Sequence, residues 1–116
     1  MIRRQLHYPR LVTAQALKSL PDSQRITVVG LVTHRQRPAT ASGVLFMGLE
    51  DETGVINAVV WPKLLQLQRR EVLQSQLLRI DGHLQNNEGV QHVIAESFID
   101  ESYRLRQLNY PSRDFR

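Results

Sequence analysis

The stretch Gly43-Val-Leu-Phe-Met-Gly-Leu-Glu50-Asp-Glu-Thr-Gly54-Val-Ile-Asn-Ala-Val-Val-Trp61-Pro62 decides the fold. Aliphatic residues alternate through Leu45, Met47 and Leu49, and again through Ile56, Ala58 and Val60. That is the period of two strands with one buried side each. Between them, Glu50-Asp51-Glu52-Thr53-Gly54 is an acidic run of turn-forming residues, so the stretch reads as a hairpin of strands over 43–50 and 54–61. The same alternation turns Val44, Phe46 and Gly48 outward from one strand, and Asn57, Val59 and Trp61 outward from the other.

Strand signals continue on both sides. Arg25 to Arg35 has strand composition interrupted by Gly30, where a bulge or bend is expected. Gln36 to Gly43 is built from loop formers. After the hairpin, Pro62 sits where a helix begins, and Lys63 to Ser75 has helical composition. Leu64, Leu65, Val72 and Leu73 are expected to face inward there, with Gln66, Gln68, Arg69 and Arg70 facing outward. Leu77 to Gln85 alternates again, with a second bend at Gly82; Asn86-Asn-Glu-Gly89 forms a turn, and Val90 to Phe98 forms the last strand. Upstream, Thr13 to Leu20 reads as a short helix with Thr13 as N-cap and Pro21-Asp22 as its stop.

Five short strands with one helix between the third and fourth are the pattern of an OB-fold, an all-β, five-stranded Greek-key barrel. An SH3-like barrel fits less well, because it has no natural place for the helix at 63–75. The expected organisation is an N-terminal extension over 1–24, the barrel over 25–101, and an arginine-rich tail over 102–116.

Composition narrows the function. The 116 residues suit one domain, and the absence of cysteine removes disulfides and thiolate metal sites. No run is long enough for a membrane span and no signal-peptide core follows Met1, so a cytoplasmic chain without membrane contact is expected. Fifteen basic residues against eleven acidic ones give +4, and only Lys18 and Lys63 among the fifteen are not Arg. Arginine suits phosphate and bases, though an excess of this size does not demand a polyanion.

Barrels of this class bind oligonucleotides across the second and third strands. Phe46, Asn57 and Trp61 are therefore the candidate contacts: the aromatics to stack on bases, Asn57 to reach a base edge. Trp61 also has the simpler use of covering the open end of the barrel. Arg35 and Arg37 border the face and are candidates for phosphate, with a solvated charged loop as the plainer reading. Glu50, Asp51 and Glu52 read as solvated turn residues. His34, His83 and His92 lack ligand spacing, and no nucleophile–base pair or phosphate loop is present. No catalytic residue, metal or cofactor is expected.

The words themselves are similar to a known family. Arg35 to Pro62, continuing through Leu77 to Gln85 and Val90 to Glu96, resembles the C-terminal OB-fold of bacterial C-family DNA polymerases (polymerase III alpha subunits). Within that family it looks most like the error-prone, damage-inducible branch, and Ser112-Arg-Asp-Phe-Arg116 resembles the ending of that branch. The resemblance implies a non-catalytic module of a longer polymerase chain that lies near single-stranded DNA and works in translesion synthesis, with Met1 not a native start. Its implied partners are single-stranded DNA, the rest of the polymerase chain and translesion accessory proteins. A more distant similarity, Phe46, Leu49, Asp51, Gly54 and Asn57, is to the anticodon-binding OB domains of class II aminoacyl-tRNA synthetases. Those carry Gln where this chain has Asn57. A protein-docking module is the alternative to DNA binding, and anticodon-type RNA binding comes third.

Overall fold

A computed structural model describes residues 11–39 and 42–107. The expectations for residues 1–10, for Thr40 and Ala41, and for 108–116, including the Ser112 to Arg116 ending, fall outside them. The strands are β1 (Arg25–Gln36), β2 (Leu45–Asp51), β3 (Gly54–Val60), β4 (Leu77–Asn87) and β5 (Val90–Asp100), and they close a barrel in the order β1-β2-β3-β5-β4. All contacts are antiparallel except β3 with β5, where Ala58 pairs with Val93 and Val59 with Ile94. The fold is an OB-fold barrel, as the strand order implied.

Its interior is the alternating set. Leu45, Met47 and Leu49 from β2 and Ile56, Ala58 and Val60 from β3 are all at most 2% exposed, beside Ile26, Val28, Leu78, Ile80, Leu84 and Val93. Burial of such aliphatic side chains contributes about 1.5–3 kcal/mol each against exposure, so the alternation fixes the register of both strands.

The two bends arise differently. β1 leaves β4 for β2 around Leu31, which pairs with both Leu77 and Glu50. Gly30 lies beneath this crossing, where a Cβ would come within 2.9 Å of the Glu50 carbonyl oxygen. The register shift of β1 falls two or three residues later, between Val32 and His34. Gly82 does mark a bulge: its neighbours pair as Asp81–Ser97 and Gly82–Ala95, leaving Glu96 as the extra residue of β5.

The helical segment departs from expectation. It is two short helices, α1 (Pro62–Leu67) and α2 (Arg69–Gln74), broken at Gln68, whose φ is −123° and ψ 43°. Gln68 was expected to face outward. Instead its amide turns in and bonds both backbone groups of Phe98, donating to the carbonyl at 3.0 Å and accepting from the amide at 2.8 Å. The break also changes the inward face: Leu65 and Val72 are buried, whereas Leu73 is 37% exposed.

Before the barrel, Ala16–Ser19 is a 3-10 turn, shorter than the helix expected over 13–20. Its N-cap is Gln15 rather than the expected Thr13, whose Oγ1 nonetheless accepts from the Ala16 amide at 3.1 Å. Ala14 and Leu17 are buried against the core. After β5, the helix α3 (Tyr103–Gln107) puts Leu105 into a small cluster with Val29 and Leu77. Regular structure thus continues past residue 101.

Candidate nucleic-acid interface

The outer side of β2 and β3 is organised in rows set by strand pairing. His34, Gly48 and Asn57 form one row across β1, β2 and β3; Gln36, Phe46 and Val59 form the next, which Ile94 extends onto β5. Phe46 is 36% exposed and Trp61 55% exposed, and Asn57 is also exposed. Val59 shares their side but is only 8% exposed, covered by the larger groups beside it.

Two recesses run end to end along β3. Near its start, Val55 and Asn57 face Lys18 of the 3-10 turn and Gly89 to Gln91 of the β4–β5 hairpin. Near its end, Val59 and Trp61 form a groove of about 600 Å³ with Val44, Phe46, His83, Gln85, His92 and Ile94. Trp61 is held at the mouth because it is the extended residue before Pro62, which opens α1. Phe46, Asn57 and Trp61 therefore share the outer side of β2 and β3, the two aromatics in one recess and Asn57 in the other.

The arginines separate. Arg35 belongs to β1 rather than to the loop, and its side chain points to the opposite side. Its Nε donates to the Val72 carbonyl and its Nη2 to the Ser75 carbonyl, both at 2.7 Å. Partial burial draws its pKa below the ordinary arginine value. Those donors cap the end of α2, so Arg35 is a structural anchor, whereas Arg37 is exposed.

The acidic turn also needs correcting, because Asp51 is not merely solvated. Its Oδ1 accepts from the Thr53 amide (2.7 Å), the Thr53 hydroxyl (2.8 Å) and the Gly54 amide (3.1 Å). Its Oδ2 accepts from the Ala14 amide at 2.8 Å, and the Thr53 hydroxyl accepts from the Gln15 amide. The turn thus satisfies backbone donors at the start of the 3-10 segment, which would otherwise lack partners.

Sequence reasoning missed His34. Its ring lies over Gly48, where a Cβ would collide with it. An in-register glycine opposite a histidine was the available signal, but the pairing that reveals it depends on the bulge in β1. Among the described residues, no three His, Cys, Asp or Glu side chains gather as a metal site, and no helix is long and apolar enough to cross a membrane.

Residues 26–101 match the model of the family described as OB-fold nucleic acid binding domain. The chain belongs to that family. The chain is also 47% identical, over 99% of its length, to a protein named error-prone DNA polymerase from Pseudomonas syringae pv. tomato. It is 43% identical over the same share to relatives of that name from Ralstonia nicotianae and Xanthomonas oryzae pv. oryzae. It spans 11% of the length of these relatives. In structure it resembles asparaginyl-tRNA synthetase from Pyrococcus horikoshii, with a TM-score of 0.66 at 19% identity over 80% of this chain and 23% of that one. The p204 HINb domain follows at 0.60 and 16% identity over 76% and 45%. At those identities the likeness is one of fold.

Proposed function

We propose that this OB domain is a non-catalytic single-stranded DNA-binding module of an error-prone, polymerase III alpha-type DNA polymerase, serving synthesis past damaged template. The observation that carries the reading is that Phe46, Asn57 and Trp61 share the outer side of β2 and β3, with the exposed Lys18 beside Asn57. Phe46 and Trp61 stack on bases, Asn57 and His34 meet base edges, and Arg37, Lys18 and Lys63 meet phosphates. On this reading the catalytic groups lie in parts of such a polymerase that this chain, spanning 11% of those relatives, does not cover.

A second reading, docking onto the polymerase body or a translesion accessory protein, is favoured by Leu67, which is 73% exposed on α1, and by Ile99, 44% exposed on β5. Both lie off the β2–β3 face, so one domain can serve both uses. Anticodon-type RNA binding is the weakest reading, since Asn57 is one methylene shorter than the Gln of that pattern.

Titration with oligo-dT at low salt, followed by the fluorescence of Trp61, the single tryptophan, tests the proposal. Binding should be weak and salt-sensitive, and Phe46→Ala should weaken it by about 1–3 kcal/mol. A saturating oligonucleotide that leaves the amide signals of Phe46, Asn57 and Arg37 unmoved would exclude DNA binding at this face. A matched RNA strand that binds more tightly would favour the anticodon-type reading.

A further inference from the structure

The groove beyond Phe46 is larger than a single stacking platform needs. At about 600 Å³ it falls within the usual range for small-molecule sites, about 300–1,000 Å³. Its floor is Val59 and Ile94, its near walls are Phe46 and Trp61, and its far wall comes from β4 and β5, off the β2–β3 face. On that wall His83 pairs with Ile94, and Gln85 with His92, on either side of the Leu84–Val93 pair of the β4–β5 ladder. None of the lining residues is Lys, Arg, Asp or Glu. An apolar floor with aromatic sides, and imidazole and amide groups at one end, suits a flat aromatic ring with a polar edge.

His83 is also held in place. Its Nδ1 lies 2.8 Å from Glu96 Oε2, and Glu96 Oε1 lies 2.9 Å from Arg25 Nη2. A carboxylate accepts, so the proton of this bond sits on Nδ1 and the ring's remaining nitrogen is Nε2. In the neutral ring Nε2 is an acceptor. Gln85, two residues along the same side of β4, adds one amide donor and one acceptor. Arg25 and Glu96 do not line the groove; they act through His83.

We propose that this groove is a nucleobase pocket: one base of the bound strand leaves the β2–β3 face, lies between Trp61 and Phe46 on Val59 and Ile94, and is met at its edge by His83, Gln85 and His92. The pocket rests on the nucleic-acid reading above and adds β4 and β5 to it. When the His83 ring is neutral, its Nε2 acceptor beside the Gln85 amide matches a base edge carrying an amino group, which makes cytosine and adenine better occupants than thymine.

The test is a Trp61 fluorescence titration with oligo-dC, oligo-dT and an abasic oligomer of equal length. It uses the wild-type chain, Gln85→Leu, Glu96→Gln and Phe46→Ala, with the imidazole signals of His83 and His92 followed in parallel. Gln85 is exposed, and leucine keeps its bulk, so amide spectra should show the variant folded. Oligo-dC should bind more tightly than oligo-dT, move both imidazole signals, and lose roughly tenfold in affinity in Gln85→Leu. Glu96→Gln should narrow the preference for oligo-dC over oligo-dT. If Phe46→Ala weakens binding while Gln85→Leu binds like wild type and the imidazoles stay unmoved, the pocket is overturned and the DNA-binding face stands; a polypeptide occupant would give this result. Equal binding of the abasic oligomer overturns the pocket as well. If no oligomer binds the wild type, the functional reading fails with it.

Discussion

Phe46 and Arg35 lie on the paired strands β2 and β1, Phe46 turned outward and Arg35 turned to the end of α2. Phe46 faces outward because Leu45 and Met47 on either side are buried, and local alternation is enough to establish that. Arg35 carries the opposite lesson. Its target is the carbonyl end of a helix some forty residues later in the chain, and nothing near Arg35 in the sequence marks where that helix stops. Arg35→Ala should therefore destabilise the fold by about 2–3 kcal/mol, the range for losing charge-assisted hydrogen bonds to partly buried carbonyls, and urea denaturation would measure it. Arg35→Lys should recover only part, since one ammonium does not reproduce the guanidinium fork. Gly48 allows the complementary experiment. An added methyl there meets only the far end of the His34 side chain, so Gly48→Ala should keep the melting temperature near wild type while displacing the imidazole. Oligonucleotide affinity should then drop several-fold if His34 belongs to the face, roughly 1 kcal/mol in the currency of a single polar contact.

Elements were legible in proportion to how local their cause is. The β2–β3 hairpin and the β4–β5 hairpin followed from alternation and turn residues; in the second, Glu88 and Gly89 take φ of 54° and 81°, the left-handed pair that a two-residue turn demands. The helix between β3 and β4 was read as one piece because no proline or glycine interrupts Lys63 to Ser75. What breaks it is tertiary: β5 has backbone groups at Phe98 that need partners, and the Gln68 amide supplies both by leaving helical geometry. Gln68→Ala should restore local helix propensity yet leave those groups unpaired, for a net loss of about 1–3 kcal/mol in chemical denaturation. Gln68→Glu should behave similarly, because it cannot donate to the Phe98 carbonyl when ionised. The acidic turn teaches the same point. Asp51 looked like solvated punctuation, but its role as acceptor for Ala14 required knowing that the 3-10 segment docks on the hairpin.

At the scale of the whole molecule, barrel closure rests on a short seam. β3 and β5 share only the pairs Ala58–Val93 and Val59–Ile94, whereas β4 and β5 pair over ten positions. On the far side of β4, Glu96 reaches from the β5 bulge to His83 and on to Arg25 of β1, linking three strands through one exposed carboxylate. The hydrogen bond from His83 lowers the pKa of Glu96 and, although burial opposes it, the charges of Arg25 and His83 reinforce the shift below the ordinary value of 4.5. The sign follows from linkage: the folded state binds the proton less readily than the unfolded chain, so the link contributes fully above the unfolded value and fades as pH falls through the lower folded value. The stability gap between wild type and Glu96→Gln should thus be fully present at about pH 5, then narrow as acid protonates Glu96 in the wild type. Because the carboxylate is exposed, added salt should shrink the gap at every pH. Urea midpoints of the two proteins across pH, at low and high salt, measure this. A gap that widens below pH 4.5 would mean that Glu96 is held more tightly in its protonated form, and that the Arg25–Glu96–His83 link does not stabilise the folded barrel.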